Sequence, residues 1–102
     1  THPAIMARIV NLKEFMRNIS LKGNNQTVKI GILDDQIEEN HGLFSWQMTQ
    51  FGSNISKIGS QIPEGTWTIS IGALTQWLLG YCTIPNPWGI RMDGRIFLDE
   101  IV

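Results

Sequence analysis

Alternating apolar and polar positions predict strands along much of the chain. Residues 27–33, 43–51 and 66–71 place apolar side chains at every second position, which is typical of half-buried strands. Residues 4–10 are rich in β-branched side chains and predict a further strand, while residues 55–58 predict a short edge strand. Together these segments predict a sheet of about five strands.

Helical spacing appears at two places between the strands and again at the end of the chain. The first helix carries apolar residues three and four positions apart, at Leu12, Phe15, Met16 and Ile19. Asn11 precedes it and Glu14 follows three residues later, so the pair predicts a capping box, and the helix is expected to end near residues 20–22. The same spacing recurs at Leu74, Trp77, Leu78 and Tyr81. Residues 94–102 predict a terminal helix.

Turn-forming residues separate these elements. Gly, Asn, Ser and Pro cluster at residues 23–25, 52–54 and 63–65, and each cluster predicts a turn. Residues 34–42 form a longer polar connection, so the strands on either side can pair as an antiparallel hairpin. Strands in succession, with helices grouped towards the ends, favour an α+β fold with an antiparallel sheet.

Composition limits the classes of function. The 102 residues fit one domain, so residues 1–102 are expected to form a single unit. A net charge of −1 without an evident basic stripe argues against nucleic-acid binding. The charged fraction is 17%, against roughly 25% in an average soluble domain. With four Trp, this predicts surface that neighbouring domains or further copies of the chain cover.

Cysteine content and the chain ends add three expectations. Cys82 is the only cysteine, which excludes an internal disulfide and favours a reducing, cytoplasmic location. No apolar stretch approaches the ~20 residues that cross a bilayer, so no membrane partner is expected. Both ends, at Thr1 and Val102, lie in apolar patterns, whereas termini are more often polar. We therefore expect a piece of a longer protein, with a compact natural domain as the alternative.

The connection at residues 34–42 is a candidate metal site because it carries four carboxylates and His41. An EF-hand loop that starts at Asp34 needs Gly at its sixth position, where this chain has Glu39, so no metal site is predicted. The alternative is a solvated connection in which Asp34 or Asp35 accepts hydrogen bonds from nearby backbone N–H groups.

Nucleophilic catalysis is the second candidate chemistry. Cys82 with His41 as base would suit it, but nothing in the sequence brings the two together. Ser53 and Ser70 lack the G-x-S-x-G pattern, and the glycines do not form a phosphate-binding motif. We predict no catalytic residue and no cofactor-binding residue in this chain.

The four tryptophans are the candidate pocket or contact wall. Trp46 and Trp67 lie on apolar strand faces and Trp77 on an apolar helix face, so each is expected in the core or in the wall of a cavity. Trp88 lies in a Pro-rich loop at residues 85–89 and is the best candidate for a contact residue. An apolar ligand tunnel and a filled core are the two alternatives, and close packing of protein interiors favours the filled core.

Three segments resemble one family of enzymes. MARIVNLKEF at residues 6–15 resembles the "M-A-R-I-V-D" strand and following helix of the C-terminal domain in the enhanced-intracellular-survival family of GNAT-type N-acetyltransferases. Residues 33–44 are similar to that domain's "D-x-x-x-x-x-N-x-G-x-F" hairpin. Residues 68–81 are similar to its strand-then-helix segment, which closes on "L-x-G-Y/G".

The resemblance implies a sterol-carrier-protein-like fold, with an antiparallel sheet covered by helices on one face. It also implies that two acetyltransferase-like domains, which hold acetyl-CoA, precede this domain and move acetyl groups to amines, including aminoglycosides and protein lysines. The family's terminal carboxylate, after a "D-Y" step, acts as a base. This chain ends at Val102 without that pattern, so no catalytic residue is transferred to it.

Two functions follow as expectations. The first is the C-terminal domain of a bacterial, acetyl-CoA-dependent N-acetyltransferase, which shapes the acceptor pocket and supports homo-oligomer contacts; the parent protein would be the enzyme and this segment alone would not. The second is a stand-alone lipid- or sterol-binding module with an apolar tunnel. An interaction domain without a ligand is the remaining alternative.

Overall fold

The computed structural model describes residues 11–16, 25–49 and 52–90. The predicted strand at residues 4–10 and the predicted helix at residues 94–102 lie outside the described residues. So do the predicted end of the first helix and most of the turn that follows it.

A hairpin of two long strands forms the centre of the sheet. β1 (Gln26–Leu33) and β2 (Gly42–Thr49) are antiparallel, and their register places Val28 opposite Trp46. Because both strands alternate strictly, the register collects their apolar side chains on one face, and the predicted hairpin is confirmed.

β3 (Gly52–Gly59) pairs antiparallel with β2, with a register shift between Leu43 and Phe44. The prediction of a turn at residues 52–54 is therefore wrong, since these residues already pair with the end of β2. Ser53 shows why a polar sequence extends the strand here. Its side chain points into the core, where Oγ donates to the carbonyl oxygen of Met16 at 3.0 Å.

β4 (Thr68–Ser70) lies on the other side of β1 and runs parallel to it. The described sheet thus has four strands in the order β3-β2-β1-β4. Because β4 runs parallel to β1 the sheet is mixed, so the expectation of an antiparallel sheet is wrong. The direction of β4 follows from the connection at residues 60–67, which crosses the sheet from one edge to the other. Ile62 in this connection packs over Gly31. A Cβ atom added to Gly31 would come within 2.8 Å of the Ile62 side chain.

Both described helices have side-chain caps at their first turn. α1 (Leu12–Met16) begins after Asn11, whose Oδ1 accepts from the backbone N–H of Glu14 at 3.0 Å, which confirms the Asn11 part of the predicted capping box. α2 (Ile71–Leu78) begins after Ser70, whose Oγ accepts from the backbone N–H of Ala73 at 3.2 Å. The cap makes α2 start directly at the end of β4.

α2 ends in a Schellman motif. Gly80 has a φ of +79° and donates to the carbonyl oxygen of Trp77, while the N–H of Tyr81 donates to that of Gln76. Tyr81 is consequently outside the helix and 51% exposed, so its predicted place on the apolar helix face is wrong.

One apolar core joins the two helices to one face of the sheet. Leu12 and Met16 enter it from α1, and Leu74, Trp77 and Leu78 enter it from α2. The sheet contributes Val28, Ile30, Ile32, Phe44, Trp46, Met48, Ile55 and Ile69. Within the described residues, neither helix is long and apolar enough to cross a membrane.

Candidate functional site

A groove of about 610 Å³ lies where α1, the β1–β2 connection and the sheet meet. Asn11, Leu12 and Lys13 form the wall on the α1 side. Ile37, Glu39 and Asn40 form the opposite wall, and Phe44, Ile55, Ser56 and Lys57 belong to the sheet. Its size is within the range of small-molecule sites, about 300–1,000 Å³.

The deep side of the groove is apolar. Phe44 and Ile55 lie on neighbouring strands on the inward face of the sheet, and Leu12 packs beside them from the first turn of α1. All three belong to the core and are at most 3% exposed. Core packing therefore fixes this apolar base beneath the groove. The half-buried Ile37 of the wall presents apolar surface to the groove itself.

Asp34 organises the connection that forms one wall. Its carboxylate is buried, and Oδ1 accepts from the backbone N–H groups of Gln36 and Ile37, both at 2.9 Å. Oδ2 accepts from Nδ2 of the buried Asn40 at 3.3 Å. These bonds hold Ile37 and Asn40 at the groove and confirm the prediction that a carboxylate here bonds to local backbone.

His41 closes the same connection from its far end. The backbone N–H of Asp34 donates to Nδ1 of His41 at 3.0 Å, so the last residue of the loop is tied to the first. The N–H of His41 in turn donates to the carbonyl oxygen of Glu38, which completes a 3₁₀ turn over Glu38–Asn40. The imidazole is thus a structural acceptor at Nδ1.

Lys57 links this wall to β3. Its Nζ donates to the carbonyl oxygen of Glu38 at 2.9 Å. The stem of Lys57 passes close to Gly42, which has a φ of +137°. A Cβ atom added to Gly42 would collide with the carbonyl oxygen of Gly59. Gly42 is therefore required both for its backbone conformation and for the close approach of β3.

The rim of the groove is polar and charged. Lys13, Glu39 and Lys57 are exposed and surround the apolar base from three elements. An apolar groove with a mixed polar rim suits an amphipathic ligand, whose apolar part packs at Ile37 while its polar groups meet the rim. The site can bind and orient such a molecule.

The residues that the sequence offered for metal binding or for nucleophilic catalysis make other contacts in the structure. In the part of the chain that the structure describes, no group of three His, Cys, Asp or Glu side chains is placed to hold a metal ion. Cys82 follows α2 and packs, half-buried, against the core, while Nδ1 of His41 is bonded to Asp34. Ser70 caps α2 and Ser53 binds α1, so both serines have structural partners.

The four tryptophans form one chain of ring contacts. Trp46 meets Trp77 edge-on with centroids 6.1 Å apart, and Trp77 meets Trp67, also at 6.1 Å. Trp67 meets Trp88 at 5.2 Å. Trp46 and Trp77 are buried in the core, whereas Trp67 and Trp88 are half-buried. The groove is lined by other residues, so a contact role for Trp88 stays a prediction.

Sequence reasoning did not identify the groove residues because three separate segments form it. Asn40-His41-Gly42 carries a partial signal, because these residue types tolerate a positive φ more readily than others. Only Gly42 of these three has a positive φ, and the other two contribute side-chain hydrogen bonds instead. No sequence pattern marks Lys57 as a groove residue, because its hydrogen bond to Glu38 requires β3 to lie beside the β1–β2 connection.

Comparison with known families gives one match. The family described as Sterol carrier protein domain matches residues 12–86, which include every groove residue except Asn11. No curated protein and no solved structure matches the chain significantly.

Proposed function

We propose that this chain, which belongs to the Sterol carrier protein domain family, is a binding domain whose groove receives part of an amphipathic acceptor molecule. The observation that carries this proposal is the groove of about 610 Å³, in which the half-buried Ile37 lies over a packed apolar base and beneath a charged rim. The binding domain positions the acceptor and leaves the chemistry to other domains.

The finer part of the proposal is that this is the C-terminal domain of an acetyl-CoA-dependent N-acetyltransferase. The resemblance of residues 6–15, 33–44 and 68–81 to the enhanced-intracellular-survival enzymes supports it. Upstream acetyltransferase domains of the same chain then hold acetyl-CoA and carry the catalytic groups. In this proposal the protein is cytoplasmic and homo-oligomeric, which its single cysteine and its 17% charged residues support.

Acetyl transfer to a polyamine or an aminoglycoside tests this assignment. We expect activity in the longer protein that the proposal requires and none in the 102-residue chain alone. Activity of the short chain would contradict the proposed division of labour. Activity of neither length with any amine would remove the acetyltransferase assignment.

A substitution on the groove wall tests whether the groove meets the acceptor. Ile37→Asn places an amide on the apolar wall, and we expect the KM for the acceptor to rise roughly tenfold, because an unmatched polar group in an apolar site costs about 1–3 kcal/mol. Ile58→Asn is the matched control, since Ile58 is 50% exposed and does not line the groove. Equal KM values for the two variants would place the acceptor elsewhere.

A stand-alone lipid-binding module is the second candidate, favoured by the family and by the apolar base of the groove. An apolar tunnel was expected between the sheet and the helices. That space is filled by core side chains that are each at most 2% exposed, namely Trp46, Trp77, Met16 and Met48. A lipid would therefore lie in the open groove. Native mass spectrometry of the purified chain distinguishes the two functions, because a carrier retains or takes up lipid and an acceptor-binding domain does not.

A further inference from the structure

We infer that Lys57 is a specificity-determining residue of the groove, and that the end of the acceptor lying there carries an anionic group, a carboxylate or a phosphate. The inference rests on the proposed function, because it names the chemical class of the molecule that the same groove receives. It begins with the place of Lys57 on β3 and with the N–H groups of its ammonium that remain available to a ligand.

The register of β3 places Lys57 at the edge of the apolar base. Lys57 lies opposite Phe44 on β2 and follows Ile55 by two positions, so the three side chains leave the sheet on its inward face. Phe44 and Ile55 are buried, whereas Lys57 is exposed and lines the groove. The inward face of the sheet therefore changes from apolar to cationic within the groove.

The fold holds the ammonium of Lys57 at this border. Nζ donates to the carbonyl oxygen of Glu38 at 2.9 Å, and Cε lies 3.0 Å from the position that a Cβ atom of Gly42 would take. An ammonium group offers three N–H donors, and among the described residues only the Glu38 carbonyl oxygen accepts from this one. Two donors thus remain for a ligand, on a side chain whose ordering adds little to the cost of binding.

The charges that line the groove favour an anion over a cation. Lys13 on the α1 side adds a second ammonium, while Glu39 on the opposite wall is the single carboxylate among the described lining residues. Asp35 and Glu38 are exposed on the same connection but do not line the groove, so solvent screens their charges. A carboxylate or phosphate beside Lys57 gains charge-assisted hydrogen bonds, which an ammonium group of a ligand cannot make with this side chain.

The proposed division of labour then defines the acceptor more narrowly. The amine that receives the acetyl group lies at the other domains, so the groove holds a distant end of the same molecule. That end packs its apolar part at Ile37 and places its anionic group at Lys57. The acceptor is therefore an amine that also carries a carboxylate or a phosphate on an apolar segment.

Probes with matched chains test the preference for an anion. The 102-residue chain is titrated with octanoate, octylammonium and 1-octanol at about pH 7, and binding at the groove is followed by ¹⁵N NMR. We expect octanoate to bind roughly tenfold more tightly than 1-octanol, the ratio expected for a hydrogen bond to a charged group. Octylammonium should bind no more tightly than 1-octanol.

Octyl phosphate and inorganic phosphate distinguish an amphipathic anion from a free one. Octyl phosphate should bind at the groove as octanoate does, and inorganic phosphate should bind far more weakly because it has no apolar part to pack at Ile37. Equal affinities for the two phosphates would overturn the amphipathic class of the ligand.

Substitution of Lys57 tests its role. Lys57→Met keeps the apolar stem and removes the charge, so the affinity for octanoate should fall roughly tenfold while that for 1-octanol stays the same. The ratio of the two affinities separates recognition of the anion from a structural role, because a loosened wall weakens both probes. Lys57→Arg should retain the preference for octanoate. Lys29→Met is the matched control, since the exposed Lys29 does not line the groove and its loss changes the net charge equally.

The outcomes separate this inference from the proposed function. Octanoate that binds no better than 1-octanol, or an unchanged preference in Lys57→Met, overturns the role of Lys57 and leaves the groove in place. Ile37→Asn should weaken octanoate and 1-octanol by the same factor, and a groove that binds none of the probes removes both proposals. If acetyl transfer fails at either chain length while octanoate still depends on Lys57, the anion site stands and only the acetyltransferase assignment is lost.

Discussion

The groove wall at residues 34–41 is held by hydrogen bonds from single side chains to the backbone, whereas the region around α2 is held by packed indole rings. In the wall, Asp34, His41 and Lys57 each satisfy particular backbone groups. Around α2, Trp46, Trp67, Trp77 and Trp88 contact one another in sequence. The energy of packing is spread over many atoms, while the wall depends on the geometry of a few hydrogen bonds.

This difference indicates which part of the molecule can change conformation locally. A packed core has low compressibility and resists local change. A wall built from a few hydrogen bonds can open while the core stays intact, because local opening costs less than global unfolding. The comparison places stability around α2 and adjustability at the groove.

The largest effect is expected from Trp77→Ala. Trp77 is 1% exposed and contacts two other indoles, so its removal should lower the free energy of unfolding by about 3–5 kcal/mol. Urea denaturation followed by circular dichroism measures it. Trp88→Ala, at the half-buried end of the ring chain, is the comparison variant and should lower the free energy of unfolding by clearly less. Equal losses would show that the stability of this region does not follow burial.

The next effect concerns Gly42, where the wall joins β2. Gly42→Ala puts a Cβ atom on a residue with positive φ and against the carbonyl oxygen of Gly59, and should cost about 2–3 kcal/mol in the same measurement. Gly72→Ala is the matched control because it lies in α2 with no atom within 4 Å of the added Cβ. It should stabilise the protein by up to about 1 kcal/mol. A tolerated Gly42→Ala would mean that β2 and β3 can move apart there.

The smallest global effect is expected from Asp34→Ala. It removes the acceptor for Gln36, Ile37 and Asn40 and should cost about 1–2 kcal/mol. NMR shift changes should concentrate at residues 34–41 and leave α2 unchanged. The exposed Asp35, substituted in the same way, is the control and should have little effect. Shift changes that spread equally into α2 would remove the distinction between the two regions.

Local signals predicted much of the fold. The alternation in β1 and β2 predicted their pairing because register follows the apolar face. The caps at Asn11 and the turn at Asp34 were predictable because each depends on residues within three positions along the chain. These features need no knowledge of distant segments.

The remaining features depend on contacts between distant segments. Nothing near Thr68 indicates that β4 would lie parallel to β1, since this pairing depends on the path of residues 60–67 and on Ile62 packing over Gly31. The groove has the same origin, because Leu12, Ile37 and Ile55 come together only after the sheet and α1 have formed. The polar residues of β3 resembled a turn because the burial of Ser53 depends on Met16.

The parallel pairing of β4 also orders the steps by which the chain acquires its structure. β1, β2 and β3 are successive antiparallel neighbours, so their contacts close short loops and can form early. β4 reaches β1 only after the chain has crossed the whole sheet, and contacts of such high sequence separation form slowly. Substitutions in the β1–β2 hairpin should therefore slow folding, whereas substitutions at Ile69 in β4 should mainly accelerate unfolding. Among the described elements, the packing of Trp67 and Trp77 against Trp46 is then the last to form, and tryptophan fluorescence reports this step.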